Sequence, residues 1–138
     1  MNVRSHIDGS VKRLFGWIGL IALLLIIPIK AIRFVDDTTS NTLLVGVAPS
    51  LLGPAGLFFL MLSGCGKLSR LTRPRVAILV AIIALALEFA QLLPRPGVLS
   101  KIHYTFDWLD VLASLLSIHV SYLVASNMIK TKSRRQTP

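Results

Sequence analysis

The chain has 138 residues, of which 54% are hydrophobic and 15% are charged, and its mean hydropathy is +0.72. That composition excludes an ordinary soluble domain, because a domain of this size needs polar residues to cover its surface. The net charge of +9 comes from basic residues that lie between apolar runs rather than in one patch. This distribution favours contact with membrane surfaces over nucleic-acid binding.

Four apolar runs follow one another along the chain, and each comes near the length of about 20 residues that crosses a bilayer as a helix. They predict transmembrane helices over residues 14–32, 42–63, 76–93 and 106–126. A basic segment, residues 1–13, precedes these helices, and a basic tail, residues 127–138, follows them. The expected fold is an all-α membrane protein, a four-helix transmembrane bundle that occupies residues 14–126.

The basic residues are divided unevenly between the two sides of this bundle. Only four of the 15 Lys and Arg residues belong to the side that holds the first and third connections: Lys30, Arg33, Arg95 and Lys101. The others flank the first helix, fill the second connection or form the tail. Because short flanking segments rich in Lys and Arg stay in the cytoplasm, both termini are predicted to be cytoplasmic (N-in/C-in), which agrees with an even number of spans.

The second run is unusual in carrying two prolines, Pro49 and Pro54, among several small residues. Each proline removes a backbone donor and kinks or breaks a helix, so the carbonyl groups that it frees must face protein or water. One interpretation is a broken helix that lines a ligand site. The other, which we prefer from the sequence, is that Gly46, Ser50 and Gly53 allow close contact with a neighbouring helix.

Polar and small residues form one stripe on each of the last two predicted helices. On the third helix the stripe is spaced by fours and threes: Ala77, Ala81, Ala84, Glu88 and Gln91. On the fourth helix it is spaced by threes and fours: Asp107, Asp110, Ser114, Ser117 and Ser121. Each stripe lies along one helix face. Because the two helices run antiparallel, we expect Glu88 and Asp110 to approach each other at similar depth.

The acidic residues differ in how well a structural role explains them. Asp107 lies in the first turn of the fourth helix, where capping and the helix dipole favour an anion. Glu88 lies six residues before Pro94, about 9 Å inside the helix end at about 1.5 Å per residue, so its carboxyl group must be protonated or partnered. The candidate polar site comprises Glu88, Gln91, Arg95, Asp107, Asp110 and Ser114. Gln91 is the expected hydrogen-bond partner of Glu88, and Arg95 or Lys101 is the expected counter-charge. A purely structural polar clamp between two helices is the alternative.

No other pattern predicts chemistry. His119 lies off the polar stripe and is interpreted as a hydrogen-bonding core residue rather than a ligand. No set of His, Cys and carboxylate residues has the spacing of a metal site, so neither a metal nor a cofactor is predicted.

The segment 87–122 resembles the core of the VanZ-like family of small bacterial membrane proteins, and its motifs lie in EFAQLLPRPGVLSKIHYTFDWLDVLAS, residues 88–114. The stretch APSLLGPAGLFFL in the second run also resembles the proline-containing helix of some members. The shared order is Glu-x-x-Gln, a loop with Pro and Arg, then Phe-Asp-x-x-Asp. The chain departs from the family pattern in having HYT where an Arg usually precedes Phe-Asp, and Ser114 and Ser117 where Asn and Gly are usual. The resemblance implies a multi-pass protein of the bacterial cytoplasmic (inner) membrane, associated with the cell envelope.

Four classes of function remain open from the sequence, and one of them is a purely structural subunit. The first of the other three is a protein that binds a lipid, another envelope component or a partner helix in an outward-facing polar cleft between helices 3 and 4. The second is a membrane enzyme that acts on a lipid-linked substrate with Glu88 and Asp110 as acid and base. The third is a small proton-coupled carrier, which would need to oligomerise. The expected partners are membrane lipids and either further copies of the chain or an envelope protein, but not nucleic acid.

Overall fold

The structure is a computed structural model and describes residues 9–35, 43–64, 71–90 and 107–135. These residues form four α-helices: α1 (Gly9–Val35), α2 (Leu43–Ser63), α3 (Arg73–Ala90) and α4 (Trp108–Arg135). The predicted all-α fold is confirmed for this part of the chain. The largest difference from the predicted bounds is in α4, which continues to Arg135 although its apolar run ends at Ser126. A helix needs only satisfied backbone groups, and Asn127, Lys130 and their neighbours are compatible with helical geometry.

Three of these helices are long and apolar enough to cross a membrane by length and composition. The qualifying segments are Gly9–Ala31, Gly46–Ser63 and Trp108–Thr131. Helix α3 is also apolar in its middle, but its 18 residues include Arg73, Arg75 and Glu88. The described helices therefore indicate a membrane protein with three clear candidate spans.

Helices α1 and α2 pack most extensively, and they touch through two glycines. A Cβ atom on Gly19 would lie 2.7 Å from the carbonyl oxygen of Gly56 and 2.8 Å from the backbone nitrogen of Leu60. By contrast, a Cβ atom on Gly46 would meet no atom within 4 Å, and one on Gly53 would lie 3.8 Å from Ile26 Cδ1. The expectation that Gly46 and Gly53 provide the close helix contact is therefore wrong, because the backbones approach each other at Gly56 instead.

The packed core lies at the end of the bundle where α1 and α3 begin and α2 and α4 end. Phe15 and Phe58 are fully buried. The ring of Phe59 contacts both, at centroid distances of 5.4 Å and 5.7 Å. The core is completed by smaller apolar side chains from all four helices: Val11, Leu62, Val76, Val80, Ala84, Ile118 and Ala125. Tight aromatic packing at this end fixes the helices relative to one another and leaves the opposite end to form a site.

Helix α2 ends with a glycine C-cap at this packed end. Gly64 has φ of 72°, a left-handed conformation that glycine adopts without steric penalty. The hydroxyl group of Ser63 donates to the carbonyl oxygen of Leu60 at 2.7 Å, which satisfies one of the carbonyl groups that a helix C-terminus leaves without an intrahelical donor.

Candidate functional site

A cavity of about 510 Å³ lies between the helices at the end opposite the aromatic core, and all four helices contribute to its lining. Its polar lining consists of the side chains of Lys30, Ser50, Glu88, Asp110 and Ser114. Its largest apolar side chains are those of Leu23, Ile26, Leu57, Val80, Ile83 and Leu87. The charged groups all belong to helix segments near this end, where α1 and α3 finish and α2 and α4 start.

The charged residues of the lining lie nearer the end of the bundle than most of its apolar residues, although Leu87 lies at the depth of Glu88. Leu23 precedes Lys30 by seven residues on α1, which is about 10 Å of helix, and Val80 precedes Glu88 by eight residues on α3, about 12 Å. The cavity thus has charged groups towards one end of the bundle and hydrocarbon side chains towards its middle. This gradient matches an amphiphilic ligand better than a purely polar one.

Burial differs between the charged residues of the cavity. Glu88 is only 8% exposed, Asp110 is half-buried and Lys30 is exposed. Lys30 and Glu88 both interact with other groups of the chain, as a buried carboxylate and a charge near an apolar wall require.

Asp110 is held by a serine from the neighbouring helix. The hydroxyl group of Ser50 on α2 donates to Asp110 Oδ1 at 2.8 Å. This bond uses one of about four acceptor positions that a carboxylate offers. It fixes the orientation of the Asp110 side chain at the cavity wall, so the carboxylate is positioned before any ligand enters.

Proline explains why α4 places serines against α2. Pro54 has no N–H, so the carbonyl group of Ser50, four residues earlier, loses its intrahelical donor. Ser114 Oγ donates to that carbonyl oxygen at 3.1 Å. Ser117 Oγ donates to the next carbonyl oxygen, that of Leu51. Helix α2 remains one helix through both prolines, and Ser114 replaces the hydrogen bond that the Ser50 carbonyl group cannot make to Pro54.

The polar stripe of α4 therefore differs from the expected arrangement, in which it met the stripe of α3. Helix α4 packs against both α2 and α3, but Asp110, Ser114 and Ser117 all bond to α2. The physical reason is that α2 offers a hydroxyl donor and two carbonyl acceptors along this face, whereas the stripe on α3 is mostly alanine. The site is a cavity among four helices rather than a cleft between helices 3 and 4.

The predicted site residues fall into three groups. Glu88, Asp110 and Ser114 line the cavity together. Asp107 does not line it: this residue is exposed, and its Oδ1 accepts from the backbone N–H of Leu109 at 2.9 Å, which makes it the N-cap of α4. Gln91 and Arg95 lie outside the described residues.

Two residues of the cavity were not recognised as such from the sequence. Lys30 is the counter-charge that the described structure brings to the cavity, whereas the sequence pointed to Arg95 or Lys101, which lie outside the described residues. The available signal was a lone cation near the end of an apolar run. Ser50 was interpreted as a small packing residue, although its position four residues before Pro54 marks a freed carbonyl group.

The remaining polar predictions concern α4 and metals. His119 is exposed on the outer surface of α4, so its interpretation as a core residue is wrong; residues at intervals of three and four from Ser114 occupy the buried face instead. Within the described helices no group of three His, Cys, Asp or Glu side chains is arranged to hold a metal ion.

Comparisons with known proteins found no family model, curated protein or solved structure that matches the chain. The resemblance to the VanZ-like family therefore depends on the motif residues alone, of which Glu88 and Asp110 share the cavity and Asp107 caps a helix.

Proposed function

We propose that this chain is an integral membrane protein that binds an amphiphilic molecule, a lipid or a lipid-linked envelope component, in the cavity between its four helices. The observation that supports this most directly is the gradient of the cavity, with charged groups near one end of the bundle and apolar side chains towards the middle. Its volume of about 510 Å³ lies within the range of about 300–1,000 Å³ that is usual for ligand sites.

We further propose that α3 also crosses the membrane, which completes a four-helix transmembrane bundle. Arg73 and Arg75 belong to its first turn and Glu88 lies near its other end, so the segment between them carries no charge. Basic residues at helix ends extend their charged groups to the lipid headgroups. The charges of α3 are thus compatible with a short span, and its exposed apolar side chains, such as Ile78 and Ile82, are compatible with contact with lipid.

The orientation that we propose places both termini in the cytoplasm. Lys12 and Arg13 on α1, Arg73 and Arg75 on α3, and Lys130 on α4 lie at the same end of the bundle as the aromatic core. Since Lys and Arg mark the cytoplasmic side, the cavity opens on the opposite, external side. The family resemblance supports the bacterial inner membrane as the location and the VanZ-like family as the group to which the chain belongs.

A blocked cavity provides the test. Gly46 lines the cavity and a Cβ atom there would meet no atom within 4 Å, so Gly46→Leu should fill the site without a backbone clash. Gly9 has equally open surroundings and is not among the lining residues, so Gly9→Leu is the matched control. The full chain is purified in mild detergent, and the lipids that co-purify are identified and counted by native mass spectrometry.

We expect wild type and Gly9→Leu to retain an amphiphile at a defined stoichiometry, and Gly46→Leu to lose it. Retention of the same molecule by Gly46→Leu, with unchanged stoichiometry, would place the binding elsewhere and refute the proposal.

An enzyme that acts on a lipid-linked substrate is the second candidate, because two carboxyl groups, Glu88 and Asp110, line one cavity at different burial. Carboxyl groups in different environments can serve as acid and base. Turnover of a lipid-linked substrate by wild type that both Glu88→Gln and Asp110→Asn abolish, while both variants still fold, would favour this function over binding alone.

A further inference from the structure

The cavity carries charges of both signs, which restricts the headgroup that it can accept. Lys30 comes from α1, Glu88 from α3 and Asp110 from α4. A headgroup with only negative charge would meet two carboxyl groups, and a headgroup with only positive charge would meet the ammonium group of Lys30. A headgroup of one sign meets at least one like charge, whereas a headgroup that carries both charges can place each beside a lining group of the opposite sign.

The polar side chains that α2, α3 and α4 contribute to the lining offer a ligand acceptors rather than donors. Ser50 donates its hydroxyl hydrogen to Asp110, and Ser114 donates its own to the Ser50 carbonyl group. Neither hydroxyl hydrogen is therefore available to a ligand without breaking a bond. The carboxyl groups of Asp110 and Glu88 can each accept further hydrogen bonds beside those made within the chain. A ligand that enters this part of the cavity should bring N–H donors.

We propose that the cavity selects zwitterionic phospholipids whose headgroup ends in a primary ammonium group, as in phosphatidylethanolamine. This inference rests on the proposed function and names the class of ligand for that same site. The ammonium group donates to Asp110 and Glu88, and the phosphate group accepts from Lys30, which adds these bonds to its existing interaction. The acyl chains contact the apolar lining formed by Leu23, Ile26, Leu57 and Ile83.

Binding of three phospholipids with different headgroups distinguishes this proposal from its alternatives. Phosphatidylcholine has the same charges as phosphatidylethanolamine, but its quaternary ammonium group has no N–H to donate. Phosphatidylglycerol carries the phosphate group and hydroxyl donors but no positive charge. Charge-assisted hydrogen bonds are roughly twice as strong as neutral ones, so we expect phosphatidylethanolamine to bind about tenfold more tightly than either of the other two.

The experiment titrates the delipidated full chain in detergent with short-chain forms of these three lipids and reads binding by native mass spectrometry. Asp110→Asn should reduce the preference for phosphatidylethanolamine from about tenfold to about threefold, because the carboxyl group of Glu88 remains. Lys30→Gln should weaken the binding of all three lipids to the same degree, because each of them loses the phosphate contact. Asp107→Asn is the matched control: it lies one turn from Asp110, is exposed outside the cavity, and asparagine also caps helices well.

The outcomes distinguish this inference from the proposed function. Equal binding of all three lipids, blocked by Gly46→Leu, would leave the proposed function standing and overturn the headgroup selection. An ethanolamine preference that Asp110→Asn does not change would overturn it as well. Equal binding of soluble phosphoethanolamine would overturn the assignment to a lipid. If no lipid binds to wild type, both proposals fail.

Discussion

Two glycines bring α1 and α2 into backbone contact, and one methyl group at that contact should destabilise the protein measurably. A Cβ atom on Gly19 would lie 2.7 Å from the Gly56 carbonyl oxygen and 2.8 Å from the Leu60 nitrogen, well inside the usual contact distance of about 3.5–4.0 Å. Because these obstacles are backbone atoms of a helix, they can move only if the two helices separate. The helix that would shift, α1, also carries Lys30 to the cavity.

The magnitude follows from two opposing effects. Overpacking of a tight contact costs about 1–3 kcal/mol, and a backbone obstacle belongs near the upper end. Alanine is preferred over glycine within a helix by about 1 kcal/mol. The net loss of unfolding free energy for Gly19→Ala is therefore about 2 kcal/mol, roughly a 30-fold change in the folding equilibrium.

Other glycines of the same helix pair provide a graded series. Gly56→Ala should lose less, about 1 kcal/mol. Its two nearest obstacles, Leu23 Cγ and Cδ2 at 2.8 Å and 2.9 Å, belong to a side chain, and its backbone obstacle, the Gly19 carbonyl oxygen, is farther away at 3.0 Å. Gly46→Ala meets nothing within 4 Å and should be neutral or stabilising by up to about 1 kcal/mol. Unfolding free energies are measured by reversible titration of the detergent-solubilised chain with sodium dodecyl sulfate, followed by circular dichroism. If Gly19→Ala unfolds at the same point as Gly46→Ala, the backbone contact does not exist as described.

Three further predictions concern the hydrogen bond between α4 and α2, the N-cap of α4 and the aromatic core. Ser114→Ala should destabilise the chain by about 1 kcal/mol because it removes the donor to Ser50, and most of this loss should disappear in a Pro54→Ala background, where residue 54 regains an N–H; a double-mutant cycle measures the coupling. Asp107→Ala should cost about 0.5–2 kcal/mol of unfolding free energy through loss of the N-cap, whereas Asp107→Asn should be nearly neutral. Phe58→Ala should cost about 3–5 kcal/mol, because its ring is fully buried in the core.

Each of these predictions has an outcome that would contradict it. An unchanged Ser114→Ala effect in the Pro54→Ala background would mean that the freed carbonyl group is not what Ser114 serves. Equal losses for alanine and asparagine at Asp107 would rule out capping. For Phe58 the comparison is Trp17→Ala, an aromatic residue that is 63% exposed; an equal loss at both positions would contradict the placement of the core.

The local pattern of the sequence was sufficient to predict the helices and to place two charged residues, Glu88 and Asp110, at one site. Apolar runs near the length of a membrane span predicted four helical segments, because helix formation depends on residues close together in the chain. The spacing by threes and fours placed Asp110 and Ser114 on one face of α4, and it placed Glu88 at the corresponding depth of α3. Both carboxyl groups do line one cavity.

The neighbour against which each helix face packs depended on contacts between residues far apart in the chain. The serines of α4 bond to α2 because Pro54 frees a carbonyl group there, and no periodicity in α4 indicates that partner. Lys30 lines the cavity because of how α1 is rotated about its own axis, and that rotation is set where Gly19 meets Gly56. Hydropathy and spacing describe one helix at a time, whereas a cavity is made by the packing of several, so its lining could be known only from the tertiary structure.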